Sequence, residues 1–157
     1  MASKQILKEC HLFDGLNGAA LDRIADLAQT KEYDAGATIF SEGSPADDLF
    51  IVASGRVALQ MQLRTALPQS SKRVTVDVVG PHDVFGWSAA IEHREHSLAA
   101  VCLEPVGALA IGGPKLRSLL KADQQIGYEV LSGLIKVVAS RLDETRHVLI
   151  SERMVSV

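Results

Sequence analysis

The feature that most constrains the fold is a change in the character of the chain near residue 31 and its reversal near residue 112. From Lys31 to Ile111 the apolar residues come in short runs, interrupted at Gly36, Gly43, Pro45, Gly55, Gly80, Pro81, Gly86, Pro105 and Gly107. The runs ATIF, LFIVASGRVALQMQL, RVTVDVV, LAAVCLEPV and GALAIG are β-branched or alternating, as strands are. Val74, Val76 and Val78 alternate with Thr75 and Asp77, which predicts a half-buried strand. The polar, turn-rich RTALPQSSK reads as the solvent loop of a long hairpin. Many short strands joined by glycine turns point to a sandwich or barrel.

On both sides of this stretch the apolar period becomes helical. Ile6, Leu7 and Cys10 recur at helical spacing, and so do Leu21, Ile24, Ala25 and Ala28, with Asn17 placed to cap the second helix. Helices are therefore expected over residues 3–30, a β body over 31–112 and C-terminal helices over 114–151, all in one domain spanning 1–157. Pro114 can open a short helix carrying Leu116, Leu119 and Leu120, and Asp123 can cap a long one running to about Ser151. On the long helix Leu131, Ile135, Val138, Leu142, Thr145 and Leu149 form a heptad-like seam. Val130, Leu134 and Val137 add a second stripe, but only in the first half. The first half is thus expected to pack on both the β body and a partner, and the second half on a partner helix alone. The predicted contact is a homodimer through Leu131, Ile135, Val138, Leu142 and Leu149.

Charge and composition narrow the function classes. A net charge of −3 gives no support for a general nucleic-acid surface. The chain has no apolar run of about 18 or more residues, and its N-terminus lacks the long apolar core of a secretion signal. The two cysteines, Cys10 and Cys102, read as buried thiols, and a cytoplasmic setting follows. His93 and His96 share one charged loop, while His11 and His147 fall on helices. No third ligand converges with them, so neither a metal nor another cofactor is expected. No Ser-His-Asp or Cys-His spacing stands out, and the chain reads as a non-enzyme.

Several ordered blocks carry a resemblance. Gly36, Ile39-Phe40, Glu42-Gly43, Asp47-Asp48, Leu49-Phe50-Ile51-Val52 and Ser54-Gly55-Arg56-Val57 match a pattern of Gly turn, IF, EG, acidic turn and strand. VVGPHDVFGWSAAI and LAAVCLEPVGALAI follow in the matching order. The chain resembles the cyclic-nucleotide-binding domain of catabolite-activator-type regulators, cyclic-nucleotide-dependent kinases and gated channels. That resemblance implies an eight-stranded jelly-roll-like (double-stranded β-helix) body with N-terminal helices and a long C-terminal helix. It also implies a regulatory sensor in signal transduction, with cyclic AMP or cyclic GMP as ligand. The alternatives are a sensor fragment of a catabolite-activator-type transcription regulator and a jelly-roll metal-dependent enzyme. Direct DNA binding is not expected, because the chain stops where such regulators continue into a winged helix.

The resemblance also assigns a phosphate-binding cassette: Phe85, Gly86, Trp87, Ser88, Ala89, Arg94, His96 and Ser97. In the family a short helix after Phe-Gly-Glu offers its first N–H groups to the phosphate, the Glu accepts from the ribose hydroxyl, and an Arg pairs with the phosphate. Here the Glu position holds Trp87 and the Arg position falls on His96, with Arg94 two residues away. Trp offers one N–H donor and no carboxylate, and His offers no bidentate fork. Nucleotide binding is therefore expected to be weak. Trp87 can fill core or interface space, or plug the ribose pocket. His82 replaces a Gly of the family's turn.

Overall fold

The helical and strand-like stretches separate in space as they do along the chain. The computed structural model describes residues 2–63 and 72–155. Four helices, α1 (Ala2–Glu9), α2 (Gly18–Leu27), α3 (Gly113–Ala122) and α4 (Gln124–Val155), flank eight strands. The strands are β1 (Ala28–Tyr33), β2 (Thr38–Phe40), β3 (Asp48–Ser54), β4 (Val57–Leu63), β5 (Lys72–Val79), β6 (Val84–Phe85), β7 (Ala99–Cys102) and β8 (Val106–Gly112). Two short 3-10 helices, His11–Phe13 and Trp87–Ala90, complete the described elements. The strands form two antiparallel sheets in the orders β1-β8-β3-β6 and β2-β7-β4-β5, the jelly-roll-like body expected from the sequence.

Strands β3 and β8 serve two cores at once. Phe50, Val52, Ala108 and Ala110 face the other sheet and meet Val57, Leu59, Val79, Phe85 and Ala100. Leu49, Ile51, Leu109 and Ile111 face the helices and meet Leu7, Leu12, Ile24, Leu116, Ile126 and Val130. A strand buried on both faces has no polar side to alternate with, which is why these two segments read as nearly unbroken apolar runs.

Local signals account for the element ends. Asn17 accepts the Ala20 N–H at 2.8 Å, and Asp123 accepts the Ile126 N–H at 3.1 Å, each satisfying an orphan donor at a helix start. Gly55 has φ of +88°, and a Cβ there would lie 2.3 Å from the Pro105 carbonyl, so the turn admits only glycine.

Two expectations need correction. Residues 28–30 belong to β1 and not to a helix, because Ala28 is already extended and pairs with Ile111. An alanine fits either period, and pairing with β8 decides. On β5, Val76 and Val78 are 42% and 44% exposed, so the valines do not share a buried face. Leu59 stands opposite Asp77 but Gln60 stands opposite Thr75, which leaves Val76 as the extra residue of a bulge. The alternation flips there and turns Asp77 partly inward. The RTALPQSSK loop falls at residues 64–71, outside the described residues, and Lys72 opens β5.

Helix α4 lies directly on backbone at two glycines. A Cβ at Gly133 would come within 2.2 Å of the Leu12 carbonyl, and one at Gly127 within 2.4 Å of the Leu120 carbonyl. Ile126 and Val130 are buried, and Leu134 and Val137 are half-buried against the helix-side core. The seam Leu131, Ile135, Val138, Leu142 and Leu149 is exposed, and Tyr128 extends it by one step. Beyond Arg141 every residue to Ser151 is exposed.

Candidate functional site

Strand β6 ends at Phe85, and the chain turns at once into the 3-10 helix Trp87–Ala90. Gly86 makes the turn with φ of +71°, and a Cβ there would press on the Asp48 carbonyl, Phe50 and Phe40 at 3.2–3.3 Å. The first N–H groups of this helix have no intrahelical acceptor, while its far end is held by Arg117, which donates to the Ala89 carbonyl at 2.7 Å. Residues 91–95 are exposed. The chain is then tied back to the turn after β2. The Gly43 N–H donates to the His96 carbonyl at 2.8 Å, and the His96 N–H donates to the Ser44 carbonyl at 2.9 Å.

This tether drives the His96 ring inward. The residue is 5% exposed, and its imidazole stacks on Phe40 with centroids 3.5 Å apart and planes 9° from parallel. Burial pushes its pKa below the ordinary histidine value, with Asp47 and Asp48 partly opposing. His96 is therefore neutral at neutral pH. The space between His96 and the 3-10 helix is a cavity of about 80 Å³. Phe40, Leu59 and Leu98 give it apolar walls, and Gly86, Trp87, Ser88 and Ser97 complete it. No lysine, arginine or carboxylate lines it among the described residues. It is well below the several hundred Å³ of ordinary small-molecule sites, which run from about 300 to 1,000 Å³.

The structure brings together Gly86, Trp87, Ser88, His96 and Ser97 from the assigned cassette. Three others lie elsewhere. Phe85 is fully buried between the sheets and stacks on Phe50 with centroids 5.1 Å apart. Ala89 is fully buried against the helix-side core. Arg94 projects from the exposed bend and does not line the cavity; its carbonyl is held by the Ala46 N–H.

Trp87 has a second attachment that the sequence does not announce. It is half-buried against the helix-side core, and the Arg141 guanidinium lies 5.2 Å from its ring centroid. Arg141 also donates to the Asp77 carboxylate and, at 3.3 Å, to the Val84 carbonyl. Neither Arg141 nor Asp77 carries a motif, and their contact spans 64 positions. Phe40, Leu59 and Leu98 escaped notice for another reason, since each reads simply as a core strand residue.

Elsewhere a groove of about 590 Å³ runs between α4, the first 3-10 helix and the turn between β5 and β6. Acids and bases are mixed along it, including Asp14, Glu129, Lys136 and Glu144. Beside it His82 adopts φ of +74°, a conformation glycine takes more readily, and its Nε2 contacts a Glu9 carboxylate oxygen at 2.6 Å. Burial pushes the Cys10 thiol up to about 11, which makes it a poor nucleophile at neutral pH. Cys10 and Cys102 are both free and buried. Among the described residues no group of three His, Cys, Asp or Glu side chains could hold a metal ion. No described helix is long and apolar enough to cross a membrane.

Comparison with known proteins places the chain in a family and a fold. The profile of the cyclic nucleotide-binding domain matches residues 30–123. The CRP-like cAMP-activated global transcriptional regulator of Mycobacterium tuberculosis is 28% identical over 143 residues, covering 91% of this chain and 60% of the regulator. The chain thus spans about three fifths of that relative's length. A cyclic nucleotide-binding domain from Methylobacillus flagellatus superposes with a TM-score of 0.79 at 19% identity, covering 96% of this chain and 82% of that one. The catabolite activator protein of Thermus thermophilus superposes at 0.71 with 25% identity, covering 93% and 63%.

Proposed function

This chain belongs to the cyclic nucleotide-binding domain family, and from that premise we propose that it is a non-enzymatic cytoplasmic sensor module whose cassette binds ordinary cyclic nucleotides weakly. The observation that carries this reading is the cavity itself. It measures about 80 Å³, holds no charged side chain, and has a buried neutral His96 where the family uses an arginine. A cyclic phosphate entering it would shed water without gaining an ion pair. Losing the Glu and Arg contacts costs about 1.5–3 kcal/mol each. Together that weakens binding by roughly two to four powers of ten, enough to carry a micromolar site into the millimolar range.

Titration calorimetry with cyclic AMP and cyclic GMP tests this directly. The expected result is no resolvable heat at micromolar nucleotide. A dissociation constant in the low micromolar range or tighter overturns the reading.

The output of such a module is the position of its C-terminal helix, as the family's mechanism implies. We assign the exposed seam from Tyr128 to Leu149 to a homodimer, with two such helices covering each other's apolar residues. Sedimentation velocity over a range of concentrations should show a dimer, and Ile135→Asp should weaken it.

A second reading is favoured by the coverage of the Mycobacterium tuberculosis regulator. In it the chain is the sensor portion of a catabolite-activator-type transcription regulator. Neither reading gives DNA recognition to this chain, and a specific gel shift by the 157-residue chain would overturn both.

A further inference from the structure

From Leu142 to Ser151 every residue of α4 is exposed, and at Arg141 just before them three elements of the body meet on the guanidinium. It donates to the Asp77 carboxylate on β5 and to the Val84 carbonyl on β6, and it lies over the ring of Trp87 at the start of the cassette's 3-10 helix. The Arg141 and Asp77 side chains are 19% and 26% exposed, so solvent screens the pair only in part. The β5 bulge is what brings Asp77 to it. Without the extra residue Val76, strict alternation would turn position 77 outward, to the same face as Thr75. A planar guanidinium can pair with a carboxylate through its edge and lie on an indole through its face, a combination lysine cannot reproduce.

We propose that Arg141 is a built-in latch, holding the middle of α4 against Trp87 so that the helix stays docked whether or not the cavity is occupied. The family resemblance gives position 87 to a glutamate that reads the ligand. In this chain that position reads the chain's own helix. The contact thus ties the cassette to α4 from within. The inference uses the proposed function only in taking α4 as the output, and the contacts stand without it.

Amide hydrogen exchange on the full chain reads α4 segment by segment. In the wild type, exchange at residues 134–141 is expected to be slow and unaltered by millimolar cyclic AMP. Arg141→Met keeps part of the apolar stem and removes the fork. It should speed exchange at residues 134–141 about tenfold while residues 126–130 stay slow. Asp77→Asn should give about threefold in the same segment. Arg141→Lys should not restore wild-type protection. Unchanged exchange at 134–141 in Arg141→Met overturns the latch, and so does a wild-type segment that shifts when cyclic AMP is added. Should Arg141→Met loosen the β body, seen as fast exchange in β3 and β8, Asp77→Asn decides alone, with unchanged exchange overturning the proposal. Calorimetry keeps the two readings apart. Tight nucleotide binding with no change in α4 exchange would sink the weak-binding reading and leave the latch standing.

Discussion

The two halves of α4 carry similar apolar residues and meet opposite fates. From Ile126 to Arg141 one face lies on backbone and core, with Ile126 and Val130 buried and two glycines pressed against carbonyls. From Leu142 to Ser151 every residue is exposed, although Leu142, Val148, Leu149 and Ile150 are as apolar as anything before them. Propensity does not separate the halves. What separates them is whether a second apolar stripe faces the body. The docked half has Val130, Leu134 and Val137, and there the stripe ends. A long helix is thus a single local structure with two tertiary roles, and most of its stability comes from the packed role.

The sharpest break of this contrast is a pair of isoleucine truncations. Ile126→Ala in the docked half should cost about 3 kcal/mol in urea unfolding. Ile135→Ala, at 69% exposure, should cost below about 0.5 kcal/mol at protein concentrations that keep the chain monomeric. Similar losses for both would erase the distinction. Next is Gly133→Ala, which improves helix propensity yet should still destabilise by about 2 kcal/mol, because the Leu12 carbonyl must move. A stabilised variant would mean α4 does not sit so close.

Ile135→Asp tests the outward face. The expected result is about a tenfold weaker dimer by sedimentation, with the monomer's melting temperature little changed. An unaltered dimer would move the interface off this seam.

The smallest effect lies in the cassette beside the docked half. Burial holds the His96 pKa below its ordinary value of 6.5, so the unfolded chain takes up its proton first as the pH drops. The contribution to stability is fully present above about pH 6.5 and is lost as pH falls toward the folded-state value. His96→Phe should therefore flatten part of the melting temperature's decline between about pH 7 and pH 5. Parallel profiles for wild type and variant would show that His96 is not held neutral.

Much of this was legible from the sequence because its causes are local. Glycine turns, helix caps and the double stripe on α4 depend on residues within a turn or two of one another. The boundary at residue 28 was less so, since Ala28 suits both periods and only its pairing with β8 selects the strand. Val76 and Val78 misled because a bulge resets alternation without changing composition. The cassette was assigned by pattern, and five of its residues, Gly86, Trp87, Ser88, His96 and Ser97, line one cavity. It could not reveal that His96 lies flat on Phe40 or that Trp87 meets Arg141. Those contacts join residues more than fifty positions apart, and no short motif encodes them.

Among the described side chains, Arg141 also marks where the support under α4 stops. Residues 142–155 continue past it as helix, an overhang of about 21 Å. Arg141 is in that sense a fulcrum, and the overhang a lever arm. A tilt of about 10° at Arg141 carries the far end through roughly 4 Å, close to the width of a side chain. A movement hardly visible in the cassette would be read out enlarged at the tip. Removing one turn of the overhang would reduce that mechanical gain by about a quarter.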